Sequence, residues 1–348
     1  MPINFALLKE LCEAPGAPGH EERIREIVIR ELKPIADTIT VDALGNVIAV
    51  KKGTAGGRFM IAGHMDEISF MVKHIDDRGF LTFVPLGGFD PKTLTAQRVI
   101  VHGRKDLIGV MGSKPIHVMT EDDRRKPPRL EDFFIDLGLP VDKVKKLVRV
   151  GDVVTRERDV IQMGEVYNGK SFDDRIGVFV MIEAFKKARR GKMDIYAVGT
   201  VQEEIGIRGA MVAAHAIDPD VGIALDVTLA CDVPFTDKSQ AISELGKGAA
   251  IKAYDGSVVP NWRLVDWMRS LCETKKIPWQ MEVLPAGGTD TAGIQRAGKR
   301  GGAAGCISVP TRYVHSVIEM IHPKDVQAAI DLLAAMLKDC RPDQFKLR

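Results

Sequence analysis

The sequence has few cysteines and no long apolar run. Five cysteines occur among 348 residues, and none are spaced as Cys-x-x-Cys. This usage is typical of reduced thiols, so we expect a cytoplasmic protein. No apolar run approaches the roughly 18–20 residues needed to span a bilayer, and the N-terminus lacks the pattern of a signal peptide. We therefore expect neither a membrane span nor a secreted protein.

The chain also lacks a strong charge of either sign. Its formal net charge is +2, and charged residues make up 28% of the composition. Such a balance gives no reason to expect binding to nucleic acid or to a membrane surface. The most basic stretch, residues 122–129, mixes acids, bases and prolines, so we interpret it as an exposed loop.

The order of apolar segments predicts an α/β domain interrupted by a β-rich insert. After residue 165, strand-like runs alternate with helix-like runs, as expected for a sheet covered by helices on both faces. Between residues 69 and 164, short apolar runs are separated by glycines, which indicates a small β-rich module. We predict a catalytic domain formed by residues 1–68 and 165–348, with the insert at 69–164.

Polar side chains follow several predicted strands at the points where the strands end. Glu203 and Glu204 are adjacent there, and burial of such a pair requires a positive partner. Ligands of open α/β sheets bind beyond the carboxyl ends of the strands. The candidates at strand ends or at the start of the following helix are His64, Asp66, Asp173, Asp174, Glu203, Glu204, Asp226 and His315.

The chemistry of this set favours a metal site. Taken singly, each residue has an ordinary interpretation: a structural histidine, a solvated glutamate pair or a strand-end turn. Together, imidazole nitrogen and carboxylate oxygen suit Zn, Co or Mn, whereas calcium sites use oxygen alone. Two histidines with three or four carboxylates exceed what one ion needs. They suit two divalent ions about 3.5–4 Å apart that share a carboxylate and a water.

Six stretches in the same order resemble the glutamyl/deblocking aminopeptidase family of dinuclear metallopeptidases. They are AGHMDEISF, SFDDRIG, VQEEIGIRGA, ALDVTLACDVP, GGTDTAGI and RYVHS, and the likeness covers nearly the whole chain. The resemblance implies a mixed sheet sandwiched by helices, with a small barrel-like inserted domain. It also implies two divalent metal ions per subunit, an insert used in dimerisation and assembly, and, as in many relatives, a tetrahedral dodecamer.

The resemblance also implies roles for individual residues. One metal would be held by His64, Asp173 and Asp226, and the other by Asp173, Glu204 and His315. Glu203 matches the general base, and Asp66 matches the acid that orients the imidazole of His64. Asp174 neighbours the shared ligand, and a slip of one residue between Asp173 and Asp174 stays open. Thr289 and Asp290, in the glycine-rich stretch 286–293, are candidates for shaping the substrate pocket.

The expected activity is removal of the N-terminal residue from short peptides with a free N-terminus. Glu203 would take a proton from the attacking water and pass it to the leaving amine. A deacylase or carboxypeptidase on the same fold is the nearest alternative. A glycosidase is a second, although paired carboxylates acting on a sugar do not need the histidines. A non-enzymatic binding protein is a third, and it would be expected to lack ligands. The preferred N-terminal residue, the native metal and the size of the assembly stay open.

Overall fold

A computed structural model describes residues 3–298 and 301–347 of the chain. Before the insert come α1 (Phe5–Glu13), α2 (Glu22–Leu32), β1 (Thr38–Val41), β2 (Val47–Lys51) and β3 (Arg58–His64). The middle segment contains β4 (Ser69–Ile75), β5 (Leu81–Leu86), β6 (Arg98–His102), β7 (Asp106–Ser113), α3 (Glu121–Arg125), β8 (Phe133–Asp136), α4 (Val141–Leu147) and β9 (Val153–Arg156). Short 3₁₀ turns lie at Pro91–Leu94, Ile116–Val118, Leu130–Asp132 and, later in the chain, Lys238–Gln240.

The remaining elements follow the middle segment. They are β10 (Ile161–Met163), β11 (Val166–Gly169), α5 (Phe172–Lys187), β12 (Asp194–Thr200), α6 (Arg208–Ile217), β13 (Val221–Leu229), β14 (Ala249–Tyr254), α7 (Trp262–Lys275), β15 (Trp279–Val283), α8 (Asp290–Gln295), β16 (Ala303–Arg312), β17 (Glu319–Ile321) and α9 (Pro323–Asp339).

The described strands outside the middle segment form an 11-stranded mixed sheet. Its main path is β1-β2-β12-β3-β13-β16-β17-β11-β10, and β14 joins β16 to β15 off that path. The pairs β12–β3, β3–β13 and β13–β16 are parallel, whereas β2–β12 and β16–β17 are antiparallel. The centre of the sheet is therefore parallel, and its carboxyl ends lie at a common edge.

Strand β3 shows why the sheet is covered on both faces. Phe59 and Ile61 belong to the large core under α1, α2, α5, α7 and α9. The alternate residues Met60 and Ala62 belong to a second core under α6 and α8. Because successive side chains of a strand point to opposite faces, a continuous apolar run is needed where both faces are buried.

The middle segment closes into a barrel with its own core. The strand order is β4-β5-β8-β7-β6-β9, and every pairing is antiparallel. Alternate apolar residues fill the interior, among them Phe70, Val72, Leu81, Val99, Val101, Ile135 and Val154. Because the sheet is closed, each of its strands is paired on both sides. The barrel therefore has no edge strand that could pair with the larger sheet.

The predicted fold class, a mixed sheet sandwiched by helices with an inserted barrel, is confirmed. The structure adds detail that sequence patterns missed. Strand β10 lies inside the predicted insert but pairs in the large sheet. The stretch interpreted as a glycine-rich loop turns into α8 at Asp290. No helix within the described residues is long and apolar enough to cross a membrane.

Candidate metal centre

Strand register places the first histidine at the predicted edge of the sheet. His64 is the last residue of β3 and pairs with Thr200, the last residue of β12. Asp226, in the next parallel strand, lies near the same edge, opposite Ser308 of β16. Because parallel strands end together, the residues that follow them meet at one edge.

Asp173 lies at the centre of two groups of potential metal-binding atoms. One group is His64, Asp173 and Asp226, and the other is Asp173, Glu204 and His315; in each, one donor atom per residue lies within 4.8 Å of the others. Oδ1 of Asp173 is 3.1 Å from Nε2 of His64, and Oδ2 is 3.2 Å from Nε2 of His315. Oε2 of Glu204 is 3.6 Å from Nε2 of His315. The structure thus brings together all five side chains singled out as ligands.

Glu203 borders the cluster without belonging to either group. Its Oε2 atom is 3.9 Å from Nε2 of His64, and its side chain is 11% exposed. It follows Gln202, whose backbone has φ +56°, a left-handed conformation that non-glycine residues rarely adopt. Such local strain is found most often at functional sites.

Asp66 supports both glutamates and His64. Its Oδ1 and Oδ2 atoms accept hydrogen bonds from the backbone N–H groups of Glu203 and Glu204, at 2.9 and 3.0 Å. Nδ1 of His64 lies 3.1 Å from the Asp66 carbonyl oxygen and 3.5 Å from its Oδ1 atom. Asp66 therefore fixes the glutamate pair as well as contacting the imidazole that it was expected to orient.

The two adjacent aspartates of α5 point to different partners. Asp174 is fully buried, and its carboxylate accepts hydrogen bonds from the backbone N–H groups of His64 at 3.1 Å and Gly177 at 3.0 Å. Asp173 instead faces the two imidazoles. The peptide bond between the aspartates is cis. Asp173 is thus the aspartate placed among the donor atoms.

Two further residues of the site were missed by sequence reasoning. Glu319, at the start of β17, accepts hydrogen bonds from the backbone N–H groups of Asp173 at 3.1 Å and His315 at 2.9 Å. Arg156, the last residue of β9, donates to the carbonyl oxygen of His315 at 3.2 Å. Both side chains are buried. Glu319 lies four residues after His315, but no sequence signal separates it from an ordinary strand residue, and nothing local links Arg156 to the site.

Three carboxylates around Asp173 have raised pKa values, whereas the pKa of Asp173 itself is lowered. Burial, followed by the charge of Asp173, raises the pKa of Glu204 to about 8. Burial also raises the pKa values of Glu203 and Asp226 well above the ordinary range, and neighbouring carboxylates add to both shifts. Burial opposes a low pKa at Asp173, but the hydrogen bonds with His315 and His64 lower it below its ordinary value. The ionised carboxylates would therefore repel one another, and pKa values perturbed in this way are typical of functional sites.

The pKa values of the two histidines are also raised despite burial, because neighbouring carboxylates favour the charged imidazole. Burial would lower the pKa of His315, but its hydrogen bond with Asp173 and the charge of Glu204 raise it to about 10. Burial is likewise outweighed at His64, where Asp173 and Asp66 raise the pKa well above the ordinary value. Both imidazoles are thus held between acidic groups, and a metal ion bound there would replace the protons.

The donor atoms fit divalent cations. Oε1 of Glu204 is buried and has no hydrogen-bond partner, which is costly unless a ligand completes the site. Mixed imidazole and carboxylate ligands suit a divalent transition ion. A bound cation would also relieve the repulsion among Asp173, Glu204 and Asp226. The residues present therefore match what a metal pair requires.

A cleft of about 550 Å³ opens over the cluster. It is lined by the cluster, by the 286–289 loop and by Gly88, which belongs to the middle segment. Thr289 lines the cleft, whereas the buried Asp290 accepts a hydrogen bond from the Thr200 hydroxyl at 2.5 Å. Of the two candidates for shaping the pocket, Thr289 is the one that borders it.

Known proteins are similar to this chain in sequence and fold. Residues 45–332 match the family described as M42 glutamyl aminopeptidase. The chain belongs to this family. A "Putative aminopeptidase" of Acetivibrio thermocellus is 40% identical over 94% of this chain and 97% of its own. The "Lysyl aminopeptidase" of Pyrococcus furiosus is 36% identical over 99% of each chain.

Solved structures of this M42 chain's relatives superpose along almost its full length. An aminopeptidase of Desulfurococcus kamchatkensis has a TM-score of 0.94 and 38% identity, covering 98% of this chain and 96% of that one. The TET1 peptidase of Pyrococcus horikoshii, described as able to assemble into a tetrahedron or a large octahedral shell, has a TM-score of 0.87 and 32% identity, with 97% and 99% covered. A Thermotoga maritima structure called Endoglucanase has a TM-score of 0.77 and 30% identity, with 95% and 96% covered.

Proposed function

We propose that this M42 protein is a metal-dependent aminopeptidase that removes the N-terminal residue from short peptides with a free N-terminus. The observation that carries the proposal is the position of Asp173 between two imidazoles, with Glu203 beside them. The family match supports a peptide hydrolase. The pair of ions would be Zn or Co, with Mn as a third candidate.

The ligand sets are those that the donor atoms support. His64, Asp173 and Asp226 would hold one ion, and Asp173, Glu204 and His315 the other. Bound ions of this kind polarise a carbonyl group and make a water more acidic. Asp66 and Glu319 hold the backbone of these ligands in place through their hydrogen bonds.

Glu203 would move the proton in the reaction. Its Oε2 atom is near the cluster, and burial raises its pKa well above the ordinary value of a glutamate. A carboxylate with a raised pKa both accepts a proton from water and releases it to an amine. In this proposal Oε2 takes the proton of the attacking water and delivers it to the nitrogen of the departing peptide. Glu204, its neighbour, contributes only as a ligand.

Substitution of Glu203 tests this division of roles. Glu203→Gln should bind the same number of ions but lower kcat by about 10²–10⁴-fold, because the general base is lost. Aminoacyl-nitroanilide hydrolysis gives the rate, and elemental analysis gives the ion content. Glu121→Gln, at a side chain that is 80% exposed, is the control. A Glu203→Gln enzyme working near the parental rate would overturn the role of Glu203.

The alternatives predict different substrates. A deacylase or carboxypeptidase would act on N-blocked peptides, whereas the proposed enzyme requires a free amine. A glycosidase would act through paired carboxylates alone and would survive chelation. Assays of free-amine peptides, N-acetylated peptides and a cellulose oligosaccharide, each with and without chelator, separate the three.

Assembly is proposed to use the barrel formed by the middle segment. We take residues 1–68 and 165–348 as the catalytic domain and 69–164 as an inserted assembly domain, whose last strand, β10, pairs in the large sheet. Ile108, Ile116 and Val118 are at least 60% exposed in this segment, which suits burial against other copies. The tetrahedral and octahedral shells of the Pyrococcus horikoshii relative support assembly beyond a dimer, with the dodecamer as our preferred size. Sedimentation velocity distinguishes monomer, dimer and dodecamer by mass. We also propose that the protein is located in the cytoplasm.

A further inference from the structure

We infer that the cleft accepts a neutral aliphatic N-terminal side chain and disfavours acidic and basic ones. The inference rests on the proposed aminopeptidase function and concerns the part of the cleft beyond the metal-binding cluster. It gives this chain a preference different from the lysyl preference that the name of the Pyrococcus furiosus relative implies for that enzyme.

The wall of the cleft beside the cluster is aliphatic. It is formed by Ile207, Val227, Leu229, Leu284, Ala286 and Val314. Among the described residues that line the cleft, every acidic or basic side chain belongs to the proposed metal site or is Glu203. The wall therefore offers apolar contact and no separate ionic partner.

Two of these side chains flank a glycine pair that keeps the cleft open. A β-carbon placed on Gly288 would lie 3.5 Å from Cδ1 of Ile207, and one on Gly287 would lie 3.7 Å from Cδ2 of Leu284. Both glycines line the cleft. Oγ of Ser257 would lie 3.0 Å from the same β-carbon on Gly288, and this hydroxyl already donates to Asp255 at 2.7 Å. Ile207 and Leu284 therefore border the same glycine pair, where no charged side chain of the described residues lies.

The polar groups next to this wall are already occupied or buried. The hydroxyl of Thr289 donates to Asp255 at 3.2 Å and lies 2.8 Å from the hydroxyl of Thr291. Thr228 also lines the cleft, is only 1% exposed, and has a hydroxyl without a hydrogen-bond partner among the described residues, so it is a neutral group. A substrate carboxylate or ammonium entering here would lose water without gaining a charged partner from the wall.

Basic residues of neighbouring strands do not supply a partner for an acidic substrate. Arg312 donates to both carboxylate oxygens of Asp232, at 2.7 and 2.6 Å. Lys252 is fully buried and paired with Glu282. An aliphatic side chain, in contrast, gains from every methylene that it buries against Ile207 and Leu284.

Tripeptides of the form X-Ala-Ala, with X as Leu, Ala, Glu or Lys, test the preference. We expect kcat/KM for Leu to exceed that for Ala by about 10-fold or more, in line with what added methylenes give in apolar pockets. We expect Leu to exceed Glu and Lys by about 100-fold, because the charged side chains would be desolvated without a partner. Calorimetry of the same peptides on ion-loaded Glu203→Gln enzyme should give the same order of affinities without turnover.

A charge placed in the wall should change that order. Leu284→Glu should reduce the Leu-to-Lys ratio of kcat/KM by about 10-fold or more. The new carboxylate can pair with the side-chain ammonium of the N-terminal Lys, which Leu lacks. Val283→Glu is the matched control, because Val283 is the adjacent residue, is 58% exposed and does not line the cleft. It should leave the order unchanged. Ion content and thermal unfolding of both variants report whether they fold.

The outcomes separate the two proposals. If none of the tripeptides is cleaved by the ion-loaded enzyme, the aminopeptidase function is wrong. If the peptides are cleaved but Glu-Ala-Ala or Lys-Ala-Ala is preferred, the function stands and the aliphatic preference is overturned. If Leu284→Glu folds and keeps the parental Leu-to-Lys ratio, the assignment of this wall to the N-terminal side chain is overturned.

Discussion

Glu319 shows how one buried carboxylate holds two distant candidate ligands. Its two carboxylate oxygens accept hydrogen bonds from the backbone N–H groups of Asp173 and His315, which lie on separate segments of the chain. Burial, followed by the charge of Asp173, raises its pKa to about 7. Arg156 adds a hydrogen bond to the carbonyl of His315, whose backbone has φ +65°. These contacts hold His315 in a left-handed conformation that non-glycine residues rarely adopt.

Loss of this carboxylate should weaken ion binding. In Glu319→Gln the side-chain NH₂ group would face one of the two backbone N–H donors, and that hydrogen bond would be lost. We expect ion affinity to fall by about 10–100-fold, as for other residues that support metal ligands. Competition with a chromogenic chelator gives the affinity. KM should change less than the ion concentration needed for half-maximal activity.

Asp325→Asn is the matched control. Asp325 is fully buried and also accepts two backbone N–H groups, from Gly246 and Gly248, both at 2.7 Å. Its loss should lower the free energy of unfolding without changing ion affinity. Equal effects of the two substitutions on ion affinity would mean that Glu319 acts only on stability.

At the scale of elements, β3 and α5 approach each other unusually closely at Gly63. A β-carbon there would lie 3.0 Å from the backbone N of Val178 and 3.1 Å from the backbone C of Gly177. The neighbouring residues on the two elements, His64 and Asp174, are joined by a hydrogen bond. The close packing therefore helps to set the separation between the first histidine and the aspartates.

A methyl group at Gly63 should push these elements apart. We expect Gly63→Ala to lower the free energy of unfolding by about 1–3 kcal/mol. The backbone atoms of Gly177 and Val178 cannot move aside for the methyl group as a side chain could. Gly305→Ala is the control, because its new methyl would meet only side-chain ends, such as Cδ2 of Leu264 at 3.1 Å. Chemical denaturation of both variants checks this. A Gly63→Ala variant no less stable than Gly305→Ala would contradict the packing argument.

The barrel is linked to α2 by a charged contact. Arg23 forms two hydrogen bonds with Asp106 of β7, at 2.5 and 2.8 Å, and His102 forms a third at 2.8 Å. The hydrogen bond from Arg23 is the main cause that lowers the pKa of Asp106 to about 2, below its ordinary value of 3.8. The contact ties the barrel to the part of the chain that carries the candidate metal centre.

This link should depend on pH in a defined direction. Because the pKa is lower in the folded state than in the unfolded state, the contact stabilises the protein above about pH 4 and is lost as the pH falls toward 2. The Asp106 side chain is 41% exposed, so solvent screening limits the contribution to about 1 kcal/mol or less. Denaturation of ion-free protein at pH 5 and pH 3 measures it.

The double-mutant cycle of Asp106→Asn and Arg23→Gln isolates the pair. The coupling free energy should be positive at pH 5 and smaller at pH 3. An equal coupling free energy at pH 5 and pH 3 would show that the contact does not titrate between these two pH values.

At the scale of the whole molecule, the site gathers like charges from segments far apart in the chain. Burial and neighbouring carboxylates raise the pKa values of Glu203, Glu204 and Asp226, so their proximity is unfavourable when they are ionised. Any ion that binds only the folded arrangement must stabilise it. Ions bound at the proposed centre would therefore couple metal loading to folding.

Chelation should lower the stability of the whole chain. Zn or Co at about 100 times its Kd should raise the free energy of unfolding by about 2.7 kcal/mol per independent site. Thermal unfolding with chelator and after re-addition of each ion measures the shift. Glu203→Gln should keep the shift, whereas His315→Ala should lose a large part of it. An unchanged melting temperature after complete ion removal would count against the site.

Several elements were predictable because their signals are local. Helix α2 buries Ile24, Val28 and Leu32 at helical spacing, and the β1–β2 hairpin follows a β-branched pattern around a turn. The ligand candidates could be found because carboxyl ends of parallel strands collect functional groups. Glu319 and Arg156 could not be found in this way, since their contacts join residues whose closeness depends on the folded barrel and sheet.

The sequence by itself determined the α/β class, the inserted β-rich segment and the family, because hydrophobic periodicity and ordered motifs are properties of the chain read in order. It also named the side chains that meet around Asp173. Only the tertiary structure decided which atoms face one another, that β10 joins the large sheet, and that the cleft wall from Ile207 to Leu284 is aliphatic. These features depend on contacts between distant segments, which no local pattern encodes.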